Sequence, residues 1–390
     1  MSGVEACIGI IIVNKNTMRI NNSRKSINIY LFGGGSLIVI LAILSITVFA
    51  AYAWLPAKVH YHITKTFQFS QETGEANIYL GLILPKSGPN QSVNNLLVQW
   101  DGSQEKRSLA YIDTLKLWDH IPGEGERAAI VEYDIILPQG EASWQAPVEK
   151  HHLLPQEGIE SDHSEIKKTI SWLTDGSEVD DALKIFRFTI DHLEYTADGC
   201  EETNISALEA YRTGKGACIG YSRLMVALCR ASGIPARMII GTILPDIPFS
   251  LPQVIYSGTP GGGHAWVEYN SQDKWYMADP SWGTGYSARL AFNRNDGRHL
   301  SFGEFDQFTA AKRDLIIWAT QQASLIDDTL TYVFAADSDQ AAISSETSVR
   351  KTWDGRWLNT LVALAVVTFL LCMIRDRVIS KLIPEAPAED

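Results

Sequence analysis

A thiol, an imidazole and a carboxylate are the groups that nucleophilic acyl transfer needs, and Cys218, His264 and Asp279 carry them in settings that suit each role. The loop Thr213-Gly214-Lys215-Gly216-Ala217 precedes a helical pattern over 218–231, with Leu224, Ala227 and Leu228 on its inner face. Ser232-Gly233-Ile234-Pro235 stops that helix. The Cys218 thiol therefore lies in a first helical turn, where unsatisfied amides and the helix dipole favour a thiolate. The backbone N–H of Cys218 is also one candidate oxyanion donor.

His264-Ala265-Trp266-Val267-Glu268-Tyr269 and Lys274-Trp275-Tyr276-Met277-Ala278-Asp279 read as two strands joined by Asn270-Ser271-Gln272-Asp273. A reversal centred between Ser271 and Gln272 leaves His264 and Asp279 equally far from the turn, and so opposite each other on one face. Directly opposed residues sit about 5 Å apart at Cβ. The carboxylate then holds one ring nitrogen and turns the other towards the thiol. Trp266, Trp275 and Met277 share that face, either lining a substrate groove or packing as core.

Each group also has a plainer reading. Cysteine is among the most buried residue types, and Cys229, within Met225-Val226-Ala227-Leu228, fits that description. It lies roughly 16 Å along the helix from Cys218, too far for a disulfide. Cys200, after Asp198-Gly199, is a possible partner that would block Cys218 or place it under redox control. Among the five cysteines there is no C-x-x-C pair, so neither a zinc ribbon nor a thioredoxin-like motif is indicated, and no cofactor or metal site is expected.

Gly216-Ala217-Cys218-Ile219-Gly220-Tyr221-Ser222, Leu228-Cys229-Arg230-Ala231-Ser232-Gly233-Ile234-Pro235-Ala236-Arg237, His264-Ala265-Trp266-Val267-Glu268 and Asp279-Pro280-Ser281-Trp282 together resemble the transglutaminase-like superfamily, whose core is papain-like. The resemblance covers about residues 164–286. It implies Cys218 as nucleophile, His264 as base and acid, and Asp279 as orienting carboxylate, acting on protein or peptide substrates by hydrolysis or transamidation. It also places an aromatic residue, Tyr195, upstream of the nucleophile without fixing its role. Arg237 reads as a packing or ion-pair residue. The alternative is a binding or scaffolding module that keeps the fold without turnover.

These groups need a scaffold, and the hydropathy supplies one. Alternating stretches at 63–69, 78–84, 96–100 and 128–137 predict strands, with Val131, Tyr133 and Ile135 inward and Ile130, Glu132 and Asp134 outward. Helical periodicity begins near Ser164, and 310–325 predicts one more helix. The polar stretch 338–348 reads as a tether. The expected fold is α+β: a β-sandwich-like region at 58–150, a transglutaminase-like core at 151–305, a helix and tether at 306–356, and two transmembrane helices.

The predicted spans are 29–57, read as an anchor or uncleaved signal anchor, with a cleaved signal peptide as the alternative because Ala51-Tyr52-Ala53 has the form of a cleavage site, and 357–374. Lys15, Arg19, Arg24 and Lys25 before the first span predict cytoplasmic residues 1–28 and 375–390 in a bacterial cell membrane, with the main domain extracytoplasmic, periplasmic. Trp54, Trp353 and Trp357 would mark the outer surface. A start at Met18 gives a shorter basic leader. The net charge of -12 excludes a phosphate-binding surface, so nucleic acid is not an expected partner.

Overall fold

The computed structural model describes residues 42–48, 50–52, 55–109, 112–141, 143–196, 205–246, 254–257, 263–283 and 291–382. Residues Ile46–Asp390 form one compact unit; in the other, Met1–Ser45, the described residues are helical. The fold is mixed α/β, and three sheets carry it.

Strand Ala57–Gln71 is the centre of the first sheet, antiparallel to Gly125–Glu141 on one side and to Ala341–Asp354 on the other. Its alternation buries Val59, Tyr61, Ile63, Phe67 and Phe69. These side chains meet Ile78, Leu80, Leu82, Leu115, Leu117 and Phe334 of a second sheet, whose central strands are Ala76–Leu84 and Asp113–Ile121. Two faces with period-two apolar patterns thus close over one core. Val131, Tyr133 and Ile135 point into it.

This sandwich is not assembled from 58–150 alone. Strands Ser324–Asp328 and Tyr332–Ala336 complete the second sheet, and the polar stretch read as a tether is part of strand Ala341–Asp354. Ser344 is exposed, Ser345 and Ser348 are half-buried and Thr347 is buried, and the ladder with Ala57–Gln71 is made by backbone groups that do not require apolar side chains. The helix expected at 310–325 runs Phe305–Thr320 instead, because the chain turns directly from strand His299–Glu304 into it and leaves it for strand Ser324–Asp328.

The two transmembrane helices are also corrected: among the described residues, no helix is long and apolar enough to cross a membrane. Helix Gly355–Leu382 spends its first turn on the domain, where Arg356 and Thr360 are buried and Asn359 donates to the Pro56 carbonyl. The stretch free of charged and amide side chains that remains, 361–374, spans roughly 21 Å against the ~30 Å of a hydrocarbon core. The other expected span, 29–57, lies largely outside the described residues; its described parts at 42–48 and 50–52 are helical. The periplasmic placement with both termini cytoplasmic rested on two spans and falls with them. Of the three tryptophans assigned to a membrane surface, Trp353 and Trp357 are exposed and Trp54 lies outside the described residues.

The third sheet positions the chemistry. It runs His299–Glu304, Ala236–Ile243, Gly263–Ser271, Lys274–Ala278 and Ser143–Trp144, all antiparallel. Helix Cys218–Ala231 lies against one face, burying Leu224, Ala227 and Leu228 with Ala265, Val267 and Tyr269. Trp266, Trp275 and Met277 occupy the other face with Trp144 and Ile239.

Candidate active site

Helix Ala207–Thr213 ends on Gly214, which takes the left-handed conformation at φ 67°. That turn sends Lys215–Gly216 alongside Glu194–Tyr195 as a short parallel pair, with Tyr195 opposite Gly216. The next helix then begins at Cys218. Its N-cap, Ala217, is extended and has no capping side chain, and there is no acidic residue in the first turn. The amides that a capping group would take are left for an anion at the thiol's end of the helix.

His264 sits at the start of strand Gly263–Ser271, with only a tenth of its side chain exposed. Its Nε2 is 2.7 Å from Oδ2 of Asp279, and the Cys218 thiol borders the same cleft as the ring. With Nε2 committed to the carboxylate, Nδ1 is the nitrogen left for the sulfur. Burial opposes the imidazolium, but the Asp279 charge and hydrogen bond, with Cys218 adding to them, push the His264 pKa up to about 10. Asp279 is buried, which by itself would raise its pKa; the two histidines that hydrogen-bond it hold the carboxyl far below the usual range.

His264 and Asp279 meet, but not as direct cross-strand partners. The hairpin turns on Gln272 and Asp273, both at positive φ, and pairs Ser271 with Lys274 and Val267 with Ala278. That register is displaced by two residues from a turn centred between Ser271 and Gln272. Asp279 has left the ladder, and its amide donates to the Ala291 carbonyl. A two-residue shift keeps the faces, so the carboxylate still reaches the ring. Ser281 N, Ser281 Oγ and Trp282 N all donate to its Oδ1.

His299, which no sequence pattern singled out, is the remaining contact of Asp279. Its Nε2 is 3.1 Å from Oδ2, and its Nδ1 is 2.9 Å from Oδ1 of Asp296. The one local cue is Asp296 three residues upstream, in the turn whose carboxylate also accepts from Arg298 N.

Trp266 flanks the His264 ring and is itself core, as are Trp275 and Met277. Its placement depends on Gly241, opposite His264 in the sheet: a Cβ there would come within 2.5 Å of the indole and 2.2 Å of the Leu300 carbonyl. Arg237 is bound to Glu268 at 2.7 Å and lies over the Trp275 ring, a structural ion pair away from the thiol. Cys229 is fully buried, and burial pushes its thiol up to about 12. Cys218 is a free thiol, and the proposed bridge to Cys200 falls outside the described residues.

The thiol and imidazole open into a cleft of about 780 Å³ bordered by Tyr195, Trp282, Arg298 and Asp246. Arg298 stacks over the Trp282 ring, and Asp246 is tied to Lys351 and Arg356 at the base of helix Gly355–Leu382. Among the described residues, two His and carboxylate groups could be considered for a metal: His264, Asp279 and His299, and separately His151, His152 and Glu304. In the second, His152 Nδ1 accepts from the Glu149 amide, so its proton resides on Nε2 and no lone pair faces the cluster. In the first, each ring nitrogen that faces Asp279 serves as a donor to it.

Residues 166–280 match the family model for the transglutaminase-like superfamily. They form a transglutaminase-like domain. The matched segment holds Cys218, His264 and Asp279 and ends before His299. Among curated proteins none matches. Solved structures with a similar chain course include a candidate cysteine protease from Cytophaga hutchinsonii, at 14% identity and TM-score 0.44, covering 76% of this chain and 93% of that one. The periplasmic domain of TgpA from Pseudomonas aeruginosa aligns at 18% identity and TM-score 0.27, over 57% of this chain and 77% of that one.

Proposed function

We propose that the protein is a thiol acyl-transfer enzyme that cleaves or transamidates amide bonds in protein or peptide substrates. The observation that carries this reading is one imidazole bonded to a buried carboxylate at 2.7 Å and sharing an open cleft with a free thiol at a helix start. The Cys218 thiolate attacks the amide carbonyl carbon, forming a C–S bond and an oxyanion, to which the Cys218 N–H is suitably placed to donate. Collapse breaks the C–N bond, and the departing amine takes the proton from His264. The resulting thioester is attacked by water or a second amine, whose proton passes to His264 as the thiolate leaves. Asp279 stays ionised throughout and steadies the imidazolium. An open cleft admits water, which favours hydrolysis over transamidation.

The test is alkylation by iodoacetamide at mildly acid pH, comparing the unaltered protein with Cys218→Ala and His264→Ala. Rapid labelling at Cys218 that requires His264 is expected. Labelling that is indifferent to His264→Ala removes the mechanism. Mass spectrometry after incubation with casein and a primary amine then separates cleaved from amine-tagged products.

A further inference from the structure

His299 is 4% exposed, yet each of its ring nitrogens faces a carboxylate oxygen. A neutral imidazole has one N–H and one lone pair. Whichever tautomer it took, one nitrogen lone pair would point at Oδ1 of Asp296 or Oδ2 of Asp279. Only the doubly protonated ring donates to both. Among the described residues, the charged and titratable groups around it are Asp296 and Arg298 from its own turn, Asp279 from the loop after Lys274–Ala278, and His264 from Gly263–Ser271, with its ring centroid 5.7 Å away. Trp266 and Trp282 close the remaining sides edge-on. Burial disfavours the charge, and the two carboxylates more than offset it, raising the pKa of His299.

The shared atom is what matters for chemistry. Oδ2 of Asp279 accepts from His264 and His299 together, while Oδ1 is held by Ser281 and Trp282. A carboxylate shared with a permanent cation pulls less on the second imidazole than one left unshared. His264 also feels that cation directly.

We propose that His299 is a positioning residue for the acyl transfer described above: a fixed imidazolium that clamps Asp279 and lets His264 release its proton at a lower pH than an unshared carboxylate would allow. The inference rests on the functional reading for its consequence, but the charge relation stands without turnover.

The experiment follows both histidines by NMR in the full chain carrying ring-13C histidine, titrated from mildly acid to alkaline pH, in the unaltered protein, His299→Gln and Asp296→Asn. Glutamine keeps a neutral donor for Asp279 and removes the charge. The His299 resonance is expected to remain that of an imidazolium through neutral pH. The His264 midpoint is expected to rise on the order of one unit in His299→Gln, the scale of a unit charge at this separation. In Asp296→Asn, which loses one of the two carboxylates that hold the cation, the His299 midpoint itself is expected to fall, and in His299→Gln the alkaline limb of turnover moves up with His264. A His299 resonance that is neutral at pH 7, a His264 midpoint that stays or falls in folded His299→Gln, or a His299 midpoint that does not fall in Asp296→Asn overturns the proposal. If His299→Gln does not fold, the His299 resonance of the unaltered protein and the Asp296→Asn titration decide it. His264-independent labelling of Cys218 would instead count against the acyl-transfer reading and leave these titrations interpretable, so the two can fail separately.

Discussion

Asp279→Asn tests the site through its hydrogen-bond arithmetic. Three donors converge on Oδ1, from Ser281 N, Ser281 Oγ and Trp282 N, so the amide oxygen of an asparagine is pinned there. Its NH2 must then occupy the Oδ2 position, facing Nε2 of both His264 and His299. To avoid donor against donor, His264 moves its proton to Nδ1, the nitrogen that should receive one from the thiol. The electrostatic loss adds to the wrong tautomer. The lift of His264 from 6.5 to about 10 corresponds to about 5 kcal/mol at ~1.4 kcal/mol per unit, most of it owed to Asp279. Turnover is expected to fall by roughly 10³ to 10⁴, the scale seen when a triad aspartate becomes asparagine. Alkylation of Cys218 at mildly acid pH should slow in parallel, and the imidazolium signal of His264 should disappear near neutral pH. Alkylation within about threefold of the unaltered rate, with His264 still titrating well above neutrality, would refute the assignment of Asp279.

Lys65 is buried in the sandwich with the Thr331 hydroxyl as its hydrogen-bond partner, and burial pushes its ammonium down to about 8. Its folded pKa lies below the unfolded value, so the charge costs stability fully below pH 8, and the cost fades as pH rises towards 10.5. Lys65→Met gives up one charged hydrogen bond and should be more stable by about 1–2 kcal/mol at pH 7; denaturant melts should show that gain shrinking between pH 8 and 10.5, and a constant difference counts against it. Gly241→Ala drives a methyl into Trp266 and the Leu300 carbonyl, with an expected loss of about 3 kcal/mol or more and slower alkylation of Cys218; thermal melts and labelling read both. Cys229→Ala should leave iodoacetamide uptake unchanged, since that thiol is sealed in the core; peptide mapping that finds label on Cys229 of the folded chain would contradict its burial.

The helix that carries Cys218 was legible because its start, apolar stripe and stop all agree, and its bounds, Cys218–Ala231, match the pattern. The relation of His264 to Asp279 was legible in parity and not in register. Gln272 and Asp273 adopt positive φ without a glycine to announce the turn, and Asp279 is bent out of the ladder by its bond to Ala291. His299 was silent because its partners are set by how strand His299–Glu304 pairs with Ala236–Ile243, a contact between distant segments. Ser344, Ser345 and Thr347 read as linker because ladder hydrogen bonds leave no trace in side-chain polarity. The apolar run at 357–374 looked like a span because sequence does not reveal that Arg356 and Thr360 are engaged by the domain.

The pairing of Ala57–Gln71 with Ala341–Asp354 has a consequence for synthesis. A ribosome releases the partner of the first long strand only after nearly all the rest of the domain has emerged, so the sandwich cannot close during most of translation. Pairings this remote in sequence are slow to form. The half-made chain must therefore wait with its first sheet edge unmatched, and a nascent-chain arrest series should find protease resistance arriving abruptly, once Asp354 has cleared the exit tunnel.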